Sequence, residues 1–383
     1  MNKTQQTFLH ILGSHLNTQP VRCPADTDWM AIVDLARAHS LQAVVYYSLK
    51  DVACVPKAAL DMLSKAYHST VFRDAQFDYL KDAISRGLED IGAEHVFLKG
   101  ICLKQNYPVS ALRSMSDVDI LVHTRDYDAI DKVLTGLGGE FAGKDDNQRC
   151  YRFAGNVLVE LHPCLMHEDS PAAGMNPGWQ YTEALEGGCR RVMTEEGFYL
   201  YTLCHLAQHL LAGGTGVRSV MDIWVHRHLR HPQPDRAFVE QELNRFGLWK
   251  LIENLEDLAE VWFSGSPETD VTRELGAYIL TSGTYGTQQR LLLSKAALFG
   301  GKWASAKHKL FPSKKLLEGE FPWCAGKGYL LPAAWTARLL HRATHEKGML
   351  LRRWGRENLA QSDEAIEAHR QRLSGFGVKQ EKD

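Results

Sequence analysis

Apolar positions in the first ninety residues recur at helical spacing. Phe8, Leu9, Ile11 and Leu12 mark one face of a first helix. Pro20 and Pro24 interrupt it, and Asp26 or Thr27 is placed to cap a second helix carrying Trp29, Ile32, Val33, Leu35 and Ala36. The apolar run Leu41–Leu49 continues the pattern, and Val55-Pro56 turns the chain. A long helix is then predicted from about Lys57 to Gly92, with Leu60, Leu63, Ala66, Val71 and Phe72 among its apolar positions. Nothing in this segment carries recognisable chemistry. It reads as a packing shell, with a lid or partner surface as the alternative.

The period changes after Glu94. Val96, Phe97 and Leu98 form a short apolar run that stops at Lys99-Gly100, and Asp117-Val118-Asp119 opens a second run through Ile120, Leu121 and Val122. The stretch Glu94–His123 therefore reads as strand, tight turn, short helix, loop and strand. Thr124 is a candidate cap for a helix whose face carries Tyr127, Ile130, Val133, Leu134 and Leu137, stopped by Gly136, Gly138 and Gly139. Tyr151–Ala154, a Gly155-Asn156 turn and Val157–His162 predict a β-hairpin. In its second arm Leu158, Glu160 and His162 alternate with Val157, Val159 and Leu161.

From residue 196 the pattern is helical again. Two helices are split by Gly213-Gly214-Thr215-Gly216, and Trp335, Leu339 and Leu340 mark a later amphipathic helix. The stretch from Arg356 onward is polar and expected to fray. The reading is an α+β fold: a small mixed sheet over 93–195, flanked by an N-terminal helical segment, 1–92, and a C-terminal helical domain, 196–383.

Composition changes this picture little. A chain of 383 residues with 44% hydrophobic and 23% charged residues is ordinary for a globular protein, and its net charge of −2 provides no global field toward nucleic acid or membrane. The charge is uneven, because 16 Lys and Arg face 9 Asp and Glu from Gly301 to Asp383. That surplus reads as a solvated helical surface, or else as a site for an anionic partner. None of the eight cysteines forms a C-x-x-C, which argues against a zinc ribbon. With no signal-peptide pattern and no apolar run near 18 residues, a reducing cytoplasm and no membrane span are expected.

The chemistry centres on Asp117 and Asp119. Side chains at i and i+2 of a strand share a face, so the two carboxylates project together while Val118 and Ile120 point into the core. Such a pair repels itself unless a cation intervenes, and hard oxygen ligands suit Mg²⁺ bridging to a phosphate. A bare D-x-D also occurs as a solvated turn. Here it opens an apolar strand, and Gly100 of the preceding turn lies 17 positions earlier.

Lys99-Gly100, Arg113 and Asp117-x-Asp119-Ile-Leu-Val together resemble the uncharacterised nucleotidyltransferase family of the polymerase-β-like superfamily. The resemblance extends over roughly residues 25 to 325. The superfamily's usual Gly-Ser pair is replaced by Lys99-Gly100-Ile101, with a longer spacer to Asp117. The resemblance implies that 93–195 is the catalytic core and that Glu160 completes a carboxylate triad with Asp117 and Asp119. Glu160 otherwise reads as an edge residue facing water. The triad would hold Mg²⁺ or Mn²⁺ against a nucleoside triphosphate, with Lys99, Gly100 and Arg113 on the phosphates. Lys99 otherwise reads as a surface residue at a strand end. His205 and His209, four apart, and Arg218 and Asp222 match a further family block expected to line the nucleotide cleft. The histidines equally suit packing, and Arg218–Asp222 suits an i,i+4 ion pair.

The expected activity is metal-dependent nucleotidyl transfer to a small molecule, a peptide, a protein or an RNA end. His162 is the rival to Glu160 as base. Two other readings compete: a D-x-D glycosyltransferase, which needs an α/β nucleotide-binding unit ahead of the motif, and a non-catalytic nucleotide-binding relative.

Overall fold

The computed structural model describes residues 1–145, 148–344 and 347–378. They divide into two compact units, one of residues 1–208 and 215–284, the other of residues 209–214 and 285 onward.

In the first unit four helices precede the first strand: α1 (Lys3–Leu16), α2 (Trp29–Ala38), α3 (Gln42–Leu49) and α4 (Lys57–Asp90). Asn2 and Gln5 cap α1 reciprocally. The cap of α2 is Asp28, which accepts from the Ala31 N–H, rather than Asp26 or Thr27. Asp26 pairs instead with Lys3.

The sheet follows. Its elements are β1 (His95–Phe97), α5 (Gly100–Leu103), β2 (Asp117–Val122), α6 (Tyr127–Gly136), β3 (Glu140–Asp145), β4 (Gln148–Phe153), β5 (Val157–His162), β6 (Thr182–Ala184) and β7 (Arg190–Met193). The strand order is β3-β4-β5-β2-β1-β7-β6. β2 runs antiparallel to β1 and parallel to β5, so the sheet is mixed and the fold is α+β as expected. The β4–β5 hairpin turns at Gly155 and Asn156, with φ of 72° and 60°. Left-handed residues at a tight turn match the twist of the strands they join. Strands β3, β6 and β7 have no counterpart in the apolar pattern, because β6 and β7 are short and the three are largely polar.

Alternation along β2 and β5 assigns the two faces of the sheet. Val118, Ile120 and Val122 join Val157, Val159 and Leu161 in one core with Phe77, Leu80, Ile84 and Leu88 of α4 and Ile130 and Leu134 of α6. The opposite face receives Asp117, Asp119 and Leu121 from β2, and Leu158, Glu160 and His162 from β5. Burial of the apolar face thus fixes which way the acids point.

Helices α7 (Glu195–Leu211), α8 (Val217–His228), α9 (Arg236–Arg245), α10 (Trp249–Phe263) and α11 (Asp270–Leu280) follow. α10 packs against α1, α8 and α11 through an apolar stripe that includes Leu251, Leu255 and Leu258. The boundary between the units falls within α7, after Gln208.

The second unit contains α12 (Gln288–Leu298), α13 (Lys302–Leu310), α14 (Lys314–Glu320), α15 (Leu331–Thr344), α16 (Lys347–Leu359) and α17 (Asp363–Gly375). Ala296 and Ala297 of α12 bury against Ile366 of α17, and Leu317, Cys324 and Ala334 form a second cluster. Within 356–378, expected to fray, the chain is largely helical. Ser362 caps α17, and Ile366, Leu373 and Phe376 supply a sparse apolar stripe that the polar composition hides. Residues 379–383 lie outside the described residues. Among the described residues no helix is long and apolar enough to cross a membrane.

Candidate active site

The site forms on the polar face of the sheet. The Leu98 N–H bonds the Asp119 carbonyl at 2.9 Å, so the chain leaves β1 beside Asp119. Lys99, the next residue, has φ 51° and ψ −127°. Glycine normally occupies such backbone geometry, and a side-chain-bearing residue there costs about 1–3 kcal/mol. The strained turn accompanies a direct contact, with Lys99 Nζ 2.8 Å from Asp119 Oδ1. Gly100 begins α5. A Cβ there would meet Arg113 Nη1 at 2.5 Å, so glycine admits the packed guanidinium.

Parallel pairing sets Asp119 opposite Glu160 and Asp117 opposite Leu158. His162 Nε2 lies 2.8 Å from Asp119 Oδ1 and 3.6 Å from Glu160 Oε2. One ligand atom from each of Asp119, Glu160 and His162 falls within 4.8 Å of the others. Asp117 lies outside that group, half-buried at the start of β2, where Ser116 Oγ donates to its Oδ2 at 3.0 Å. The structure thus brings Asp119 and Glu160 together, adds His162, and sets Asp117 to one side.

These groups perturb one another. Burial disfavours charge on Asp119, but Lys99 and then His162 outweigh it and hold the carboxyl well below its usual range. Burial and the Asp119 charge push Asp117 up to about 6, with Lys99 partly opposing. Burial lowers His162, yet its hydrogen bond to Asp119 and the nearby Glu160 carboxylate prevail and raise it. Tyr201 of α7, buried beside Lys99, has its hydroxyl pushed up, chiefly by burial. Tyr201 went unnoticed in the sequence, although it lies four residues before His205 and so shares its helix face.

The structure places the remaining expected residues as follows. The Arg113 guanidinium, expected on phosphates, is buried on Asp222, with Nε 2.9 Å from Oδ1 and Nη2 2.8 Å from Oδ2. Tyr107 adds its hydroxyl to Asp222 at 2.5 Å. Arg218 donates to the Ser114 carbonyl at 2.6 Å in place of the i,i+4 pair with Asp222. Arg113, Arg218, Asp222 and Tyr107 therefore anchor the loop that delivers β2 to the site. The His205 ring lies 5.8 Å from that of Tyr201. His209 is exposed and belongs to the second unit.

A family model described as uncharacterised nucleotidyltransferase matches residues 25–264. The chain belongs to that uncharacterised nucleotidyltransferase family. The match takes in all seven strands and α2 through α10. It ends before residue 325, to which the resemblance read from the sequence extends. Neither a curated protein nor a solved structure matches the chain.

Two predictions follow from this geometry. Arg113→Met leaves the Asp222 charge buried without its cation and should cost about 3–5 kcal/mol in urea denaturation. Arg113→Met/Asp222→Asn should recover much of that loss, because a neutral amide still accepts the Tyr107 hydroxyl. Were Arg113 chiefly a phosphate ligand, stability would hold and nucleotide affinity would fall.

The second concerns pH. Asp117 has a higher pKa folded, about 6, than its ordinary 3.8. The folded state then binds the proton more tightly, so this residue's contribution is fully present at low pH and is lost as pH rises from about 4 to 6. His162, also raised, adds a decline above its ordinary 6.5, whereas depressed Asp119 contributes stability above 3.8 that is lost in stronger acid. In chelator-treated protein, the melting temperature of Asp117→Asn relative to wild type should therefore climb between pH 4 and 6.5. A flat difference would contradict the assignment.

Proposed function

We propose that the protein is a metal-dependent nucleotidyltransferase that moves a nucleoside monophosphate from a nucleoside triphosphate to an acceptor hydroxyl or phosphate. The observation that carries this reading is the in-register pairing of Asp119 with Glu160, beside His162, in a chain of a nucleotidyltransferase family.

The donor set fits a divalent cation. The carboxylates of Asp119 and Glu160 supply the hard oxygens that Mg²⁺ or Mn²⁺ requires, and His162 orients Asp119 by donating to its Oδ1. Such ions, when bound, stabilise the charge that develops on the attacking and leaving oxygens at the α-phosphorus. Asp119 and Glu160 hold the cation in this reading, and Asp117 faces the triphosphate from the same side of β2. Lys99 neutralises phosphate oxygens.

Glu160 is better placed than His162 to accept the acceptor's proton. The 2.8 Å contact of His162 Nε2 with a carboxylate held ionised requires a proton on that nitrogen, which leaves it nothing to accept there. A small molecule, a peptide, a protein or an RNA end remains as the acceptor class. A D-x-D glycosyltransferase would need an α/β nucleotide-binding unit before the motif, whereas four helices precede β1.

Purified protein with α-labelled nucleoside triphosphates and a cell extract should transfer label to an acceptor. Asp119→Asn and Glu160→Gln should each lower transfer by at least about a hundredfold, the low end for losing a general base. Glu160→Gln should still bind nucleotide. Loss of turnover in His162→Ala, with turnover kept in Glu160→Gln, would make His162 the base. Label from nucleotide-sugars in place of triphosphates would overturn the reading.

A further inference from the structure

We propose that Lys99 and the divalent cation are alternative occupants of Asp119, exchanged when the triphosphate draws Lys99 onto its phosphates, so that nucleotide and cation bind cooperatively. The inference rests on the nucleotidyltransferase reading and deepens it.

One oxygen carries the argument. Asp119 Oδ1 takes both Lys99 Nζ and His162 Nε2, each at 2.8 Å. A Mg²⁺ ligand oxygen lies about 2.0–2.1 Å from the ion. An ammonium hydrogen-bonded to that same oxygen would stand against the ion at close range, and the two positive charges repel. A cation that uses Oδ1 therefore requires Lys99 to leave. Seated on Asp119, the lysine supplies positive charge to the cluster of Asp117, Asp119 and Glu160.

The geometry also says which partner moves. The Asp119 side chain is 2% exposed and set in a central strand, whereas the Lys99 side chain is 23% exposed. A lysine head rides on a flexible four-carbon stem and reorients without moving backbone. The strained Lys99 backbone roots that stem at the end of β1, within reach of Asp119. A triphosphate offers the ammonium several anionic oxygens in exchange for one. The exchange vacates Asp119 when nucleotide arrives, so each ligand strengthens binding of the other by the same factor.

Lys99→Met keeps the length of the side chain and removes its charge. Mn²⁺ binding to chelator-treated protein without nucleotide, read by electron paramagnetic resonance of the free ion, should be weak in wild type. It should be about tenfold or more tighter in Lys99→Met. The gain in nucleotide affinity on adding Mn²⁺, measured with a non-hydrolysable triphosphate analogue, should be larger in wild type than in Lys99→Met. Chelation of Mn²⁺ by the analogue in solution is common to both proteins and cancels in that comparison. Lys99→Gln, neutral but still able to donate to Asp119, serves if the methionine variant does not fold, and should show the same changes in smaller measure. Equal or weaker Mn²⁺ binding in the folded variant would overturn the exchange while leaving the nucleotidyltransferase reading intact. Absence of Mn²⁺ binding from wild type and variant alike, with and without nucleotide, would overturn both.

Discussion

Asp119 is a carboxylate held almost without solvent in the middle of a seven-stranded sheet, and it stays ionised because Lys99 and His162 both bond to one of its oxygens. Its position follows from strand alternation. Val118, Ile120 and Val122 must enter the core with α4 and α6, so Asp117 and Asp119 are driven to the other face. The same rule on β5 sends Glu160 and His162 there, and the parallel register sets Glu160 against Asp119. A one-residue slip in either strand would turn the acids into the apolar core and the valines onto the polar face, at a large cost in free energy. The apolar core thus specifies the geometry of the polar site without touching it.

The rest of the first unit supports that arrangement from outside. The loop between α5 and β2 is pinned by the buried contact of Arg113 with Asp222, joined by Tyr107, and by Arg218 on the Ser114 carbonyl. Breaking such a pair by removing one member is costly because the other is left charged in a dry setting. Gly100 makes room for the Arg113 guanidinium at the start of α5, next to the strained Lys99. Strain, close packing and a buried ion pair therefore meet on a few residues that decide where the Lys99 ammonium sits.

Much of this was legible in the sequence, for local reasons. Period-two alternation marked β2 and β5 and the faces of their acids, and the Gly155-Asn156 turn marked the hairpin. Glycines and prolines bounded α4 and α6 closely. What escaped was long-range. The pairing of Arg113 with Asp222 joins residues 109 apart, and no local spacing connects them. Arg113 therefore reads as a phosphate ligand, and Asp222 as a residue of the nucleotide cleft or a partner for Arg218. Strands β3, β6 and β7 are polar or short enough that alternation gives no signal. The helix Asp363–Gly375 escaped because three buried residues among charged neighbours do not make an evident apolar face.

The central claim is that Asp119 and Glu160 together bind a divalent cation on the polar face of the sheet. Crystals grown with Mn²⁺ and a non-hydrolysable triphosphate analogue, measured for the anomalous signal of manganese, test this most directly. The account predicts a manganese peak within bonding distance of carboxylate oxygens of both Asp119 and Glu160, with the analogue's phosphates on the same side. Manganese bound elsewhere, with Lys99 still seated on Asp119 beneath bound nucleotide, would contradict it.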